Sequence, residues 1–585
     1  STPPVDGSGV THIIEHCVLS GSKNFPVKDP FLELMKGSLN TFLNAMTYPD
    51  RTIYPASSTN VTDYFNLMSV YGDAVFFPLL RKEVFLQEGR RLEIRDDGTL
   101  EANGVVFNEM KGNYSSHDSI VSEYSLRTLF PDTPYQFDSG GEPAEILSLE
   151  YAQFLEYYRR HYHPGNCRIF LYGNIDTERQ CRFLEERFLS KFSRVRSTAD
   201  TPARVVPPDQ DVPPVHAIPF QPRWEGEKAF QYRSPIGEGE DTAAKTSIVL
   251  NWLCGSVTDP ETILGLEVLA EILLGNPGCP LYKGILDSKL GEDISPVSGI
   301  EADLRELVFS VGIRGSEPER GEKVRDMIIG ILSGLAGNGI PDEIVEGSLR
   351  RVEFRYREIK GGVPFGLRLL GKTIRGWNYG QDPAEAVAFE KPFSAVRERS
   401  ADPSFFSGMI RKVFLENPHR SLLVVSPGAQ GLSDGERMAE ERVRKIEKSL
   451  SAEDRVMLAE EGNAFSLFQE EEDTEEALAS IPRLSRSDLP LKVETIAYEK
   501  TEAGGIPCHL YDFFTNGIVY IDIVADVEGL PSSLIPFLPL YSRVLCSGGL
   551  PGIPYDQVAR SLALHSGGFS SLLEAGNMGD DPSRH

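Results

Sequence analysis

The sequence predicts an α+β fold assembled from a repeated unit, with two complete copies, a helical hinge and an incomplete third copy. Three observations predict it. A step of Pro and His leading into an apolar extended run closes a stretch twice, at His163-Pro164 through Asn174 and at Asn417-Pro418-His419 through Pro427, as a duplicated unit would. Helical apolar spacing alternates with short runs of strand character throughout. A charged, strongly helical stretch from Asp434 to Asp473 separates the second echo from the C-terminal part of the chain. At 585 residues, with ~150 residues per domain as a soft prior, about four domains are expected.

Composition bounds the function. Hydrophobic residues make up 40% and charged residues 25%, as in ordinary globular proteins. No apolar run approaches the ~18 residues of a membrane span, so no membrane partner is expected. The 86 acidic residues against 59 basic ones leave a net charge of −27, which argues against nucleic acid and favours basic ligands. Seven scattered cysteines without C-x-x-C spacing fit a reducing compartment and offer neither a zinc ribbon nor a disulfide framework. The chain opens on Ser1 without a presequence or secretory signal, and its polar tail after Ala575 lacks apolar periodicity.

In chain order, a Pro/Gly-rich approach leads to a helix for which Ser8 to Thr11 provide cap candidates. That helix carries His12-Ile13-Ile14-Glu15-His16. Positions i, i+3 and i+4 share one face, so His12, Glu15 and His16 point together while the two isoleucines turn inward. Two imidazoles one turn apart can grip one metal ion, and the carboxylate between them can take a proton from a water there. Cys17 lies outside that face and is assigned to packing.

Asp29-Pro30 opens a second helix, and 41–47 and 51–54 read as extended segments joined by the turn Tyr48-Pro49-Asp50. Thr62 to Phe77 and Lys82 to Arg95 read as helices, and Val105 to Gly112 as another, bearing Glu109. The run 163–174 reads as a buried strand, 177–192 as a helix, and 201–240 as a linker with short extended pieces. The next copy contains a strand at 246–253 and helices at 261–274 and 322–335. Where the first copy has its His pair, it has only Gly265-Leu266-Glu267-Val268-Leu269, so no metal is expected there. After Leu491, strands at 495–498, 508–513 and 518–525 and a helix at 533–546 outline the third copy. The expected domains are 1–235, 236–430, 431–490 and 491–585.

Several blocks in this order and spacing carry a family resemblance: His12 to His16, Val18-Leu19-Ser20-Gly21-Ser22-Lys23, Leu43 through Thr52, Asp73 through Pro78, and Val106 through Gly112. Together they resemble the pitrilysin-type zinc peptidases, whose motif has the H-x-x-E-H (inverzincin) order, and most of all the presequence protease and falcilysin branch. The resemblance implies units of mostly antiparallel sheet with helices packed on it, and a chain cut at both ends. It implies one Zn2+ held by His12, His16 and Glu109, with Glu15 as general base. It further implies that an extended peptide adds to the edge strand at Asn44, Ala45, Met46 and Thr47, and that Leu19, Phe31 and Leu32 line an apolar pocket, although core packing explains those three equally well.

The implied function is zinc-dependent endoproteolysis by a monomer of short unfolded peptides, above all cleaved, basic targeting peptides, in a mitochondrion or plastid. A falcilysin-like or precursor-processing peptidase and a non-catalytic subunit of the same fold are the alternatives.

Overall fold

The run Thr246–Ser256 becomes the centre of the largest sheet because both of its faces are apolar and both find cover. Ile248, Leu250 and Trp252 point into one core, against the helices Pro260–Leu274 and Gly321–Asn338. Val249 and Leu253 alternate to the other side. The computed structural model describes residues 1–95, 97–195, 204–206, 218–237, 239–359, 363–428, 433–492, 495–527 and 529–576.

The sheet has six strands, in the order Asp293–Ile294, Glu306–Ser316, Thr246–Ser256, Arg420–Pro427 and Lys228–Ser234, with Gly299–Glu301 also on Glu306–Ser316. All its pairings are antiparallel except that of Arg420–Pro427 with Lys228–Ser234, which is parallel. Lys228–Ser234 falls in the stretch expected to be a linker, so this sheet reaches back across the expected boundary at 235. The apolar alternation of Phe230 and Tyr232 gave that strand away only once a partner was present.

The far side of the sheet carries the helix His117–Arg127, whose Ile120 and Val121 pack on Val249, Leu423 and Val425. His117 fastens the junction, its Nδ1 2.7 Å from Ser234 Oγ and its Nε2 2.8 Å from Ser247 Oγ. Below, Leu129, Phe130 and Tyr135 pack with Trp224, Leu253 and Val308. The six-stranded sheet thereby sets the position of the helix His117–Arg127.

In the N-terminal region the described strands pair only as two-stranded ribbons: Asn40–Leu43 with Ala56–Ser58, Met46–Tyr48 with Arg51–Ile53, and Arg91–Ile94 with Leu100–Asn103. The expected helix at 82–95 stops at Glu88, because Gly89 turns the chain into that last ribbon. The expected strand at 163–174 does not form. Pro164–Asn166 is a short 3-10 turn, and Ile169 and Tyr172 stand 37% and 57% exposed with no ladder partner among the described residues.

The charged helices Asp434–Ser449 and Ala452–Glu470 fold back on the N-terminal region. Phe465 enters its core, and Glu447 accepts from the backbone N–H of Leu100. Beyond them, of the three expected strands, only 508–513 is met, and only in part, by Ile506–Leu510, which pairs with Glu499–Ala503 just past the expected 495–498. Residues 518–524 belong to no helix or strand, and Ile523 and Val524 stand 91% and 92% exposed. Among the described residues no single helix is long and apolar enough to cross a membrane.

Candidate metal centre

The helix Val10–Val18 is anchored by what it hides. Val10, Ile13, Ile14, Cys17 and Val18 are buried against Val84, Phe85, Val106, Phe107 and Phe154, which turns the His12/Glu15/His16 face outward. Within the expected Ser8 to Thr11 region the N-cap is Gly9, at φ 65°, which provides no side-chain cap. A Cβ on Gly9 would lie 2.5 Å from the Gly140 carbonyl oxygen, so only glycine lets the loop 138–141 cross so near. Thr11 uses its hydroxyl to donate to Ser139 O on that same loop.

Glu109 arrives from the helix Val105–Asn113, whose Val106, Phe107 and Met110 fill the same core. Its Oε2 lies 3.8 Å from His12 Nε2 and 3.9 Å from His16 Nε2, and the three donor atoms all fall within 4.8 Å of one another. A tetrahedral ion with bonds of ~2.0–2.1 Å spaces its ligands by about 3.3 Å, so two imidazole nitrogens and one carboxylate oxygen fit zinc after a small inward movement. The His rings meet edge to face with centroids 4.9 Å apart.

Glu15 is buried on the same face, and its Oε2 accepts a 2.5 Å hydrogen bond from the Thr47 hydroxyl. His12 turns Nδ1 towards the Gly140 carbonyl at 3.4 Å, and His16 places Nδ1 3.1 Å from Glu88 Oε2. Burial pulls the His16 pKa down, but the Glu88 hydrogen bond and the charges of Glu15, Glu88 and Glu109 raise it overall. Glu88 moves the other way. Burial would raise its pKa, yet hydrogen bonds from His16 and Gln87 hold it below the usual carboxylate range.

The residues open onto a cavity of about 630 Å³, whose wall also includes Asn44, Ala45, Met46, Thr47, Glu123 and Asp138. The chain matches the family Peptidase M16 inactive domain over residues 148–352 and the family Peptidase M16-C associated over residues 426–583. It is 36% identical over 577 residues to presequence protease 1, chloroplastic/mitochondrial, of Arabidopsis thaliana, covering 97% of this chain and 52% of that protein. It is 34% identical to the mitochondrial presequence protease of Xenopus laevis, covering 97% of this chain and 54% of the relative.

The chain belongs to the pitrilysin-type M16 peptidase family. An M16 inactive-domain structure from Pseudomonas fluorescens shares the fold, with a TM-score of 0.52 at 14% identity over 73% of this chain and 89% of that one. The α+β class expected from the sequence is the M16 class. The chain spans about half the length of the curated relatives it matches.

Within this M16 chain the structure brings together His12, Glu15, His16, Glu109 and the 44–47 segment, and leaves the other three expected residues apart. Leu19 packs against the core beneath the His helix, Phe31 packs on a second core with Phe25 and Leu34, and Leu32 is 46% exposed. The helix Pro30–Gly37 turns its one buried leucine, Leu34, inward and so presents Leu32 to solvent. Sequence reasoning did not find Glu88, Glu123 or Asp138. The last two line the cavity, and close behind them Arg127 pairs with Glu123 and Glu142, while burial and neighbouring negative charge raise both the Glu123 and Asp138 carboxyls. Their signal, scattered acids on a mixed helix and a loop, cannot be separated from surface charge without coordinates.

Proposed function

We propose that this chain is the metal-bearing part of a zinc endopeptidase that cleaves short, unfolded, basic peptides, with organellar targeting peptides as the natural class and a mitochondrion or plastid as the location. The observation that carries the reading is the convergence of His12, His16 and Glu109 beside the buried Glu15, at the mouth of a cavity edged by Asn44 to Thr47. The names of the relatives support the substrate class, and zinc is the metal of M16 peptidases generally.

His12, His16 and Glu109 would hold the ion. Zinc supplies a Lewis acid that polarises a carbonyl and lowers the pKa of a water ligand to about 7. Glu15 accepts the proton of the attacking water on its carboxylate and delivers it to the leaving amine nitrogen. Thr47 Oγ1 fixes the orientation of that carboxylate. Among the described residues Met46–Tyr48 has one ladder partner, Arg51–Ile53, so an extended peptide can add along its other edge through backbone hydrogen bonds, demanding little side-chain specificity.

The cavity wall adds a reason for basic peptides. It carries Glu15 and Glu109, with neither Lys nor Arg among its lining residues. In this reading 1–235 is the catalytic domain, 236–430 a metal-free partner, 431–490 a hinge and 491–585 part of a third domain.

Glu15→Gln tests the mechanism. The variant is expected to retain stoichiometric zinc by metal analysis and to lose hydrolysis of a basic test peptide by ~10²-fold or more. Undiminished turnover would refute the assignment. Raising salt is expected to increase the KM of a basic peptide more steeply than that of a neutral one, and equal slopes would remove the electrostatic part of the proposal.

A further inference from the structure

Glu88 ends the helix Lys82–Glu88, 72 residues from His16 in sequence, yet its side chain is only 14% exposed and points at the metal helix. The turn beyond it is pressed into place. A Cβ on Gly89 would lie 2.8 Å from Phe85 O and 2.9 Å from Ile13 Cγ2, so this turn touches the residue following His12. Arg90 locks the next step through two hydrogen bonds, of 3.0 and 2.8 Å, to Leu149 O. Gly89 O accepts from Phe107 N at 3.4 Å, which joins the same turn to the helix that carries Glu109. The other oxygen of Glu88 accepts from Gln87 Nε2 at 2.9 Å, so the carboxylate has little freedom to swing.

An imidazole has two nitrogens, and the one facing a carboxylate must carry the proton it donates. With Nδ1 on Glu88 Oε2, the lone pair of His16 is left on Nε2, the atom that faces Glu109. His12 is oriented more weakly, by a neutral carbonyl at 3.4 Å. We infer that Glu88 is the positioning residue of the metal centre, fixing the tautomer and ring angle of His16 so that Nε2 is preset for the ion. The inference rests on the zinc reading above.

The test is zinc affinity of the full chain, measured by competition with a chromophoric chelator, for wild type, Glu88→Gln and Glu88→Ala, alongside the unfolding midpoint of each metal-free protein. Loss of an outer partner of this type weakens metal binding by ~10–100-fold. Glu88→Ala is expected to fall in that range, and Glu88→Gln, whose amide oxygen still accepts from Nδ1, to lose less. Metal-free midpoints close to wild type would accompany this graded order. Glu88→Ala binding within twofold of wild type would overturn the inference while leaving the zinc reading intact. Equal losses in both variants together with lowered midpoints would overturn it as a folding effect. A wild-type chain without stoichiometric zinc would overturn the zinc reading and this inference together.

Discussion

The N-terminal region and the region of the six-stranded sheet each hold a helix that bears a glutamate, and make opposite use of it. In the first, Glu15 shares its face with two imidazoles, and the helix borders a cavity of about 630 Å³. In the second, Glu267 interacts with the Tyr356 hydroxyl and the charges of Lys372 and Arg375, beside a cavity of only about 40 Å³ lined by Val257, Ile263 and Phe389. One carboxylate is answered by side-chain cations and a phenol, and the space closes. The other has ligand atoms around it and space for a substrate. The difference lies less in the glutamate than in what the opposing elements present to it.

This contrast can be broken from either side. The largest effect is expected from Glu109→Ala, which removes the oxygen that completes the donor set. Zinc affinity should fall by more than ~100-fold, beyond the loss from an outer partner, and metal analysis of dialysed protein would read it. Retention of full zinc would mean that Glu109 is not a ligand. A middle effect is expected from Thr47→Val. A hydrogen bond to a charged group is worth ~1.5–3 kcal/mol, so kcat should fall by about 10–100-fold with KM nearly constant and zinc retained. Thr47→Ser should restore most of it, whereas a rise in KM alone would assign Thr47 to peptide binding.

The smallest effect belongs to the region of the six-stranded sheet. Burial lowers the Lys372 pKa to about 8, with Glu267 opposing and Arg375, Arg368 and Arg355 assisting. Between that value and the ordinary 10.5 the unfolded chain binds more protons than the folded one, so this lysine makes stability rise with pH across that window. Lys372→Met should therefore be favoured over wild type near pH 7 and lose that advantage from pH 8 to 10.5, as read by denaturant midpoints. It should leave zinc binding unchanged.

The parts of this arrangement legible in the sequence are those whose information is local. A His pair and a glutamate at i, i+3 and i+4 must share a helical face in any context, and the buried run Thr246–Ser256 can be read from its own side chains. Glu109 came from a family resemblance, because a single helical glutamate carries no signal of its own. Glu88 was invisible, since its partner is distant in sequence and its helix ends where periodicity would continue it.

The failed strands fail for a related reason. Apolar character marks 163–174 and 518–525 as surfaces that need covering, but a strand also needs a neighbour for its backbone, and none adjoins them among the described residues.

The bare stretch 518–524 has a consequence for how the protein behaves in solution. Val519, Ile521, Ile523 and Val524 are each more than three-quarters exposed, the run contains no proline, and Asp522 is its only charge. An exposed apolar stretch of this length is a site at which another copy can associate. The net charge of −27 opposes that association at low ionic strength and is screened at high ionic strength. Added salt should therefore drive this chain towards self-association rather than keep it dispersed.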